Sequence, residues 1–235
     1  QAKQSRKPVL LKREGILGNC PQIRKCLEQV VTASNNNSNV LLTGETGTGK
    51  ELFALAIHAN SARAEKNFVI VDCAALPENL VENILFGHEK GAYTGAEKSK
   101  EGLVKQADGG TLFLDEIGEL SPSLQKVFLR VLQEHRYRPI GGLHEVSSDF
   151  RLIAATNKNL ESLVELGAFR SDLLYRIQVS AIELPPWFVW FFFFFLFFFL
   201  FFGGGVGGGG GGIKGFSPDF FELLSTYHWP GNIRE

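Results

Sequence analysis

Short apolar runs of strand length alternate along the chain with stretches whose apolar residues recur every three or four positions. Asn39-Val-Leu-Leu-Thr43 is the first such run, and it ends in a cluster of glycines. Phe68-Val-Ile-Val-Asp72 and Thr111-Leu-Phe-Leu-Asp115 follow, each closed by a carboxylate. Arg151-Leu-Ile-Ala-Ala-Thr-Asn157 and Ala181-Ile-Glu-Leu184 are the last two, the second stopped by Pro185-Pro186. Between them, Leu52, Leu55, Ala56 and Ala59 have helical spacing after Lys50. Leu124, Val127, Phe128, Val131 and Leu132 form a second stripe, which Ser121-Pro122 opens with an N-cap and a first-turn proline. Strands alternating with helices predict an α/β fold with a largely parallel sheet covered on both faces. Ligands of such sheets sit at the carboxyl ends of the strands, where Lys50, Asp115 and Asn157 all fall.

Composition changes this picture in one place. A chain of 235 residues can bury a sizeable core, and a net charge of −1 gives no global basic field to attract nucleic acid. Cys20, Cys26 and Cys73 form no Cys-x-x-Cys pair and no cluster with histidine, so they read as reduced thiols of a cytosolic protein, mostly filling core. Gln1 to Arg13 is basic, lacks the apolar centre of a signal peptide, and reads as a tether. Trp187 to Gly212, however, holds 11 of the 21 Phe and 9 of the 26 Gly, so overall hydropathy misleads until it is set aside. Its apolar part, Trp187 to Phe202, falls short of the roughly 20 residues that span a bilayer, so no membrane anchor is expected. A helix apolar all round would need burial on every side, and the glycines after it make only a floppy linker.

The candidate chemistry begins at Gly44-Glu45-Thr46-Gly47-Thr48-Gly49-Lys50. Successive backbone N–H groups in a glycine-rich turn can face one anion, and the helix behind them adds a favourable dipole. Lys50 supplies a point charge for β- and γ-phosphates. Glu51 stands where the general phosphate-loop pattern has Ser or Thr for magnesium. Alone, such a loop is also compatible with an ordinary tight turn. Asp115, ending an apolar strand, supplies the magnesium-organising carboxylate, and Glu116 follows where it can polarise an attacking water. Thr156-Asn157 ends a neighbouring strand within reach of a γ-phosphate, though an Asn turn would look the same. Arg170 and Arg176, six apart in Phe169-Arg-Ser-Asp-Leu-Leu-Tyr-Arg176, fit either a surface salt-bridge helix or arginine fingers of an oligomeric ATPase.

With Gly91-Ala-Tyr-Thr-Gly-Ala96 behind Leu85-Phe-Gly-His-Glu89, the chain resembles the bacterial enhancer-binding proteins, AAA+ ATPases that activate RNA polymerase carrying sigma-54. The hexapeptide is similar to their GAFTGA loop. GETGTGKE, GGTLFLDEIGEL, FLRVLQE, RLIAATNKNL, FRSDLLYRI and Trp229-Pro-Gly-Asn-Ile-Arg-Glu235 carry the resemblance over Gly15 to Pro186 and Ile213 to Glu235. It implies a linker over 1–14, an AAA+ α/β core with a parallel sheet flanked by helices over 15–186, and a small α-helical lid over 187–235. In that frame the glycine loop is the Walker A motif, Glu51 is the usual residue, and the strand ending at Asp115 is Walker B. Lys50 would bind the phosphates of ATP, Asp115 would organise Mg2+, and Glu116 would activate water. Thr156 and Asn157 match the first sensor, Arg170 and Arg176 the fingers acting on the next subunit, and Arg234 the second sensor in the lid. Ile16, Leu17 and Gly18 fall where family members line the adenine pocket. Gly91, Ala92, Tyr93, Thr94, Gly95 and Ala96 would meet sigma-54, with Tyr93 and Thr94 at the tip. The resemblance further implies a ring, most often a hexamer, and a cytoplasmic ATPase that remodels the closed promoter complex of the sigma-54 holoenzyme.

Two positions and one tract depart from the family pattern. Asp72 stands where the family commonly has an Asn that holds the catalytic Glu, and an Asp there repels Glu116 unless one carboxyl is protonated. Tyr93 replaces the usual Phe, a change expected to leave the loop functional. The tract at 187–212 replaces the first lid helix. All of its residues are Trp, Phe, Val, Leu or Gly, which codons of T and G alone can encode. It therefore reads as a sequencing or assignment artefact, or an artificial replacement, rather than a natural element. DNA contact is expected only through a helix-turn-helix domain absent from this sequence. Two rival functions remain at this level: a catalytically impaired regulatory binding module, and an AAA+ remodeller of another client.

Overall fold

The computed structural model describes residues 11–13, 15, 16 and 20–186. The expected lid over 187–235, with its tract and Arg234, lies outside the described residues, as do Leu17 and Gly18. The strands are β1 Val40–Thr43, β2 Phe68–Asp72, β3 Gly87–His88, β4 Lys100–Glu101, β5 Thr111–Asp115, β6 Arg136–Tyr137, β7 Val146–Ser147, β8 Arg151–Thr156 and β9 Ser180–Glu183. The helices are α1 Pro21–Ser34, α2 Lys50–Ala59, α3 Glu78–Phe86, α4 Leu103–Gln106, α5 Pro122–Glu134, α6 Leu160–Glu165 and α7 Ser171–Ile177. All five runs picked out by their apolar pattern are strands, with ends within one residue of those expected.

These five form one sheet in the order β2-β5-β8-β1-β9, and each neighbouring pair is parallel. Successive side chains of a strand point to opposite faces, which decides what each residue packs against. Leu41, Leu112, Leu114, Leu152 and Ala154 join the core formed with Phe128 of α5 and Leu173 of α7. Val40, Leu42, Phe113, Ile153 and Ala155 join the opposite core with Val30 of α1 and Phe53 and Ile57 of α2. The central strands are apolar at nearly every position because both faces are covered.

The two expected helical stripes fared differently. On α5, Leu124, Phe128, Val131 and Leu132 are buried and Val127 is half-buried, while Gln125 and Leu129 are also buried. Ser121 does precede this helix, but its hydroxyl lies 3.0 Å from Ser123 Oγ and caps no amide. On α2 the buried side is Phe53, Ala54, Ala56 and Ile57, whereas Leu52 is 40% exposed. Residues 52–57 are all apolar, so their spacing cannot fix which side meets the sheet; the chain's path out of the glycine loop does.

Residues 11–13, expected to belong to the amino-terminal linker, are held against the body of the domain. Leu11 packs against the α1–α2 core. The Lys12 backbone exchanges two hydrogen bonds of 2.9 Å with the Asn60 side chain at the end of α2. Two small hairpins, β3–β4 and β6–β7, meet where His88 of β3 bridges to Ile140 in the loop of the second. Among the described residues, no helix is long and apolar enough to cross a membrane.

Candidate functional site

The glycine loop follows β1 and ends in the first turn of α2. Gly47 (φ 80°) and Gly49 (φ 87°) take left-handed backbone that other residues adopt only with strain. The first helical bond of α2 runs from Phe53 N–H to Gly49 O at 3.2 Å. The N–H groups of Lys50, Glu51 and Leu52 therefore have no preceding helical carbonyl, which is the arrangement that receives an anion. Thr48 is buried, with its Oγ1 donating to Glu45 O at 2.9 Å, while Glu51 is exposed in the first turn.

Lys50 is buried and bends back over the loop. Its Nζ donates to Gly44 O (3.0 Å) and Glu45 O (3.1 Å) and lies 3.6 Å from Glu116 Oε1. Glu116 Oε2 accepts the Asn157 N–H at 3.1 Å, and Asn157 Nδ2 donates to Thr46 Oγ1 at 2.9 Å. Lys50, Glu116, Asn157 and the glycine loop thus close into one polar circuit at the carboxyl ends of β1, β5 and β8. Glu116 reaches it because its own backbone is left-handed (φ 51°, ψ 50°), turning the chain sharply off the end of β5. Thr156 is fully buried, its Oγ1 accepting the Lys158 N–H at 3.0 Å, so it shapes the turn beneath Asn157.

Asp115 stands beside this circuit with its Oδ1 accepting the Glu116 N–H at 3.0 Å. Burial, and then the neighbouring Glu116 charge, push its carboxyl above the ordinary carboxylate value. A carboxylate that is half-desolvated and short of positive partners is suited to hold a divalent cation. No cluster of three or more metal-ligating side chains exists among the described residues, so such an ion would draw its other ligands from substrate and water. A stability consequence follows from the direction of the shift. The folded state disfavours ionised Asp115, so that charge costs stability at pH 7; the cost fades as pH falls through the raised folded-state value and is gone below about 4. Asp115→Asn is accordingly expected to raise the thermal midpoint at pH 7 in metal-free buffer, with the gain shrinking on acidification. A lower midpoint at pH 7 by calorimetry would contradict this account.

Other expected residues are separated from the circuit or have local partners. Asp72 is the register partner of Asp115, but its Oδ1 accepts the N–H groups of Ala74 (2.9 Å) and Ala75 (3.2 Å) in a turn of its own. The structure thus gives Asp72 no hydrogen bond to Glu116. Cys73 beneath it is buried, and desolvation with the charge of Asp72 pushes its thiol up to about 12. Arg170 is the residue before α7 and grips Asp172 through two bonds of 3.0 and 2.7 Å. Arg176, in the last turn, donates to Leu132 O at 3.0 Å. Both arginines are exposed, as are Leu166, Tyr175 and Val179 nearby in sequence. Ile16 is buried in the core formed with α1 and α2.

The hexapeptide Gly91–Ala96 caps the β3–β4 hairpin and is closed by a Gly91 N–H to Ala96 O bond of 2.8 Å. Tyr93 is 47% exposed, as expected for a tip, and Thr94 is exposed beside it. The tyrosine hydroxyl accepts from Asn83 Nδ2 at 3.2 Å, and its ring centroid lies 5.1 Å from that of His88. Asn83 Oδ1 is in turn 2.7 Å from His88 Nδ1. The hydroxyl that looked incidental therefore has a partner that phenylalanine would lack.

Sequence reasoning missed two contributors. The β6–β7 hairpin braces the loop: Glu89 N–H donates to Ile140 O and Ile140 N–H to Gly87 O, both at 3.0 Å. Its Gly141 (φ 72°) lies so close to Ala92 that an added Cβ would come within 2.7 Å of the alanine Cβ. Gly141-Gly142 was the available signal. Gln125 is the second, a polar residue buried on the apolar side of α5.

Three comparisons bear on this site. Residues 16–183 match the family described as Sigma-54 interaction domain. The chain is similar to the Transcriptional regulatory protein ZraR of Escherichia coli (strain K12), 47% identical over 221 residues that make up 94% of this chain and 50% of that protein. It is 49% identical over 225 residues to the Nif-specific regulatory protein of Azotobacter vinelandii, covering 94% of this chain and 42% of that one. The chain thus spans about half the length of the curated relatives it matches. Among solved structures, NtrX from Brucella abortus in complex with ATP superimposes with a TM-score of 0.76 at 31% identity, covering 94% of this chain and 50% of that one.

Proposed function

This chain belongs to the sigma-54 interaction domain family, and from that membership we propose that it is the ATP-hydrolysing motor of a sigma-54-dependent transcription activator. The observation that carries the proposal is the circuit joining Lys50, Glu116, Asn157 and Thr46 around the glycine loop, with Asp115 beside it. The ATP complex of NtrX, a protein that shares this fold, supports nucleotide as the ligand.

In this reading the N–H groups of Gly47 to Glu51 receive the phosphates, and Lys50 exchanges its carbonyl partners for β- and γ-oxygens. Asp115 would help to hold Mg2+, which would supply charge neutralisation for the phosphoryl group. Glu116 accepts the proton of the attacking water, yielding ADP and phosphate. Thr156 and Asn157 register whether the γ-phosphate is present, through the hydrogen bond that already ties Asn157 to Glu116. Arg170 and Arg176 act on the neighbouring subunit's ATP in a ring, taken as a hexamer. Their exposure, beside exposed Tyr175 and Leu166, supports contact with a second copy. Ile16, Leu17 and Gly18 border the base, and Arg234 of the lid reaches the nucleotide. Asp72 influences the site through its charge on Asp115 rather than by gripping Glu116.

The output is mechanical, with Tyr93 and Thr94 pressing on sigma-54 as nucleotide is hydrolysed in the cytoplasm. DNA is reached through a separate domain of the larger protein. Two measurements test the proposal together. Turnover per chain should rise with protein concentration, because the arginines act between subunits. Thr94→Ala should retain hydrolysis and lose binding to sigma-54 holoenzyme in a pull-down with a non-hydrolysed transition-state mimic. Intact binding by that variant would remove sigma-54 as the client; turnover independent of concentration would remove the shared site.

A further inference from the structure

Gln125 is fully buried in the first turn of α5, next to Leu124 and one turn before Leu129. Its amide is spent on main chain alone. Nε2 donates to Leu120 O at 2.8 Å and to Ala168 O at 3.0 Å, and Oε1 accepts the Arg170 N–H at 2.9 Å. Leu120 closes the 3-10 turn Ile117–Glu119 that starts at Glu116. Ala168 to Arg170 is the lead-in to α7, the helix that ends at Arg176 and its neighbour Ile177. One side chain therefore ties the turn carrying the general base to the segment carrying both arginines.

We propose that Gln125 is the positioning residue for these arginines, fixing the backbone of Arg170 relative to the turn after Glu116. The proposal rests on the reading of Arg170 and Arg176 as residues that serve a neighbouring subunit's site. The remaining supports of the segment show what Gln125 adds. Phe169 is buried, and the N–H groups of Ala168 and Phe169 both donate to Leu163 O at 2.9 and 3.0 Å. These hold the segment down on the α6 side. Arg170 has no side-chain cap of its own at the start of α7, so the Gln125 acceptor satisfies one of that helix end's free amides. Without it the segment stays docked through Phe169, but the direction in which Arg170 leaves the surface is no longer set. An arginine that must meet a phosphoryl group held by another subunit is sensitive to such an error, since a displacement of about 1 Å at a positioning group costs on the order of a hundredfold in rate.

The test is Gln125→Met, which keeps the length and burial of the side chain and removes all three hydrogen bonds, made in the full 235-residue chain. kcat for ATP should fall about 10- to 100-fold while KM changes by less than about threefold, because the variant's own nucleotide site is intact. Mixing it with Glu116→Gln chains, whose base is disabled but whose arginines are normally placed, should raise turnover about fivefold or more. A subunit that had merely misfolded could not be restored by a neighbour. Gln125→Glu serves if the methionine variant fails to fold. It keeps the acceptor for Arg170 N–H but loses both donations, so its kcat should still fall more than about threefold and be raised by the same mixing. A kcat within about threefold of the parent, or a defect that mixing does not relieve, overturns the positioning role. An Arg170→Ala chain with unchanged kcat would instead overturn the arginine assignment itself, and the proposal with it.

Discussion

Replacing Glu116 with Gln is expected to lower kcat by about a thousandfold while nucleotide continues to bind, the loss that follows when a general base cannot take its proton. The substitution is nearly isosteric, and the amide oxygen can still accept the Asn157 N–H that Glu116 Oε2 accepts at 3.1 Å. The charge is what disappears. Lys50, 3.6 Å from Glu116 Oε1, loses an anionic partner and retains two carbonyl ones, so it is freer to meet a phosphate. Affinity for ATP should therefore hold or rise. Single-turnover hydrolysis alongside fluorescent-nucleotide binding separates the two quantities. A kcat within tenfold of the parent, or binding lost together with turnover, would show that Glu116 has a structural role in place of a chemical one.

The second large effect concerns the arginines. Arg170→Ala is expected to reduce kcat by about a thousandfold or more, the range associated with removing an arginine finger. It should leave thermal stability almost unchanged. The reason lies in the partner: Asp172 holds Arg170 bidentately, but both side chains are exposed, and exposed pairs contribute little to folding. A weak local partner also lets the guanidinium leave for a phosphoryl oxygen without a large penalty. The diagnostic outcome is a catalytic collapse with an unshifted thermal midpoint. A drop in both would assign Arg170 to the fold, and a drop in neither would empty the finger reading.

How much of this was legible beforehand differs by the range of the interaction. The β-strands of the sheet could be read because each is a short apolar run bounded by turn residues, and burial on both faces left few polar interruptions. The buried side of α2 could not, because Leu52 to Ile57 offers apolar residues at every phase of the helix. Lys50, Asp115 and Glu116 were recognisable as residue types at strand ends. Their mutual contacts were not, since Asn157 and Thr46 are 111 residues apart and meet only because β1 and β8 are neighbours in the sheet. Asp72 shows the opposite failure. Its position at the end of β2 was clear, but whether it faced Glu116 depended on a local turn through Ala74 and Ala75. Gln125 left only the faint trace of one polar residue on an apolar face. The β6–β7 hairpin, with two-residue strands, fell below the length at which alternation carries any signal.

The closed circuit around Lys50 also bears on which anions the loop will tolerate. The ammonium is already satisfied by two carbonyls and approached by a carboxylate, so an incoming ion must replace partners instead of filling a vacancy. A small oxyanion is therefore expected to engage the loop amides alone and to leave Lys50 with Glu116. A polyphosphate spans both places at once. The loop is in this sense a threshold filter, favouring a ligand long enough to touch loop amides and lysine together and so to turn the contact between Lys50 and Glu116 outward.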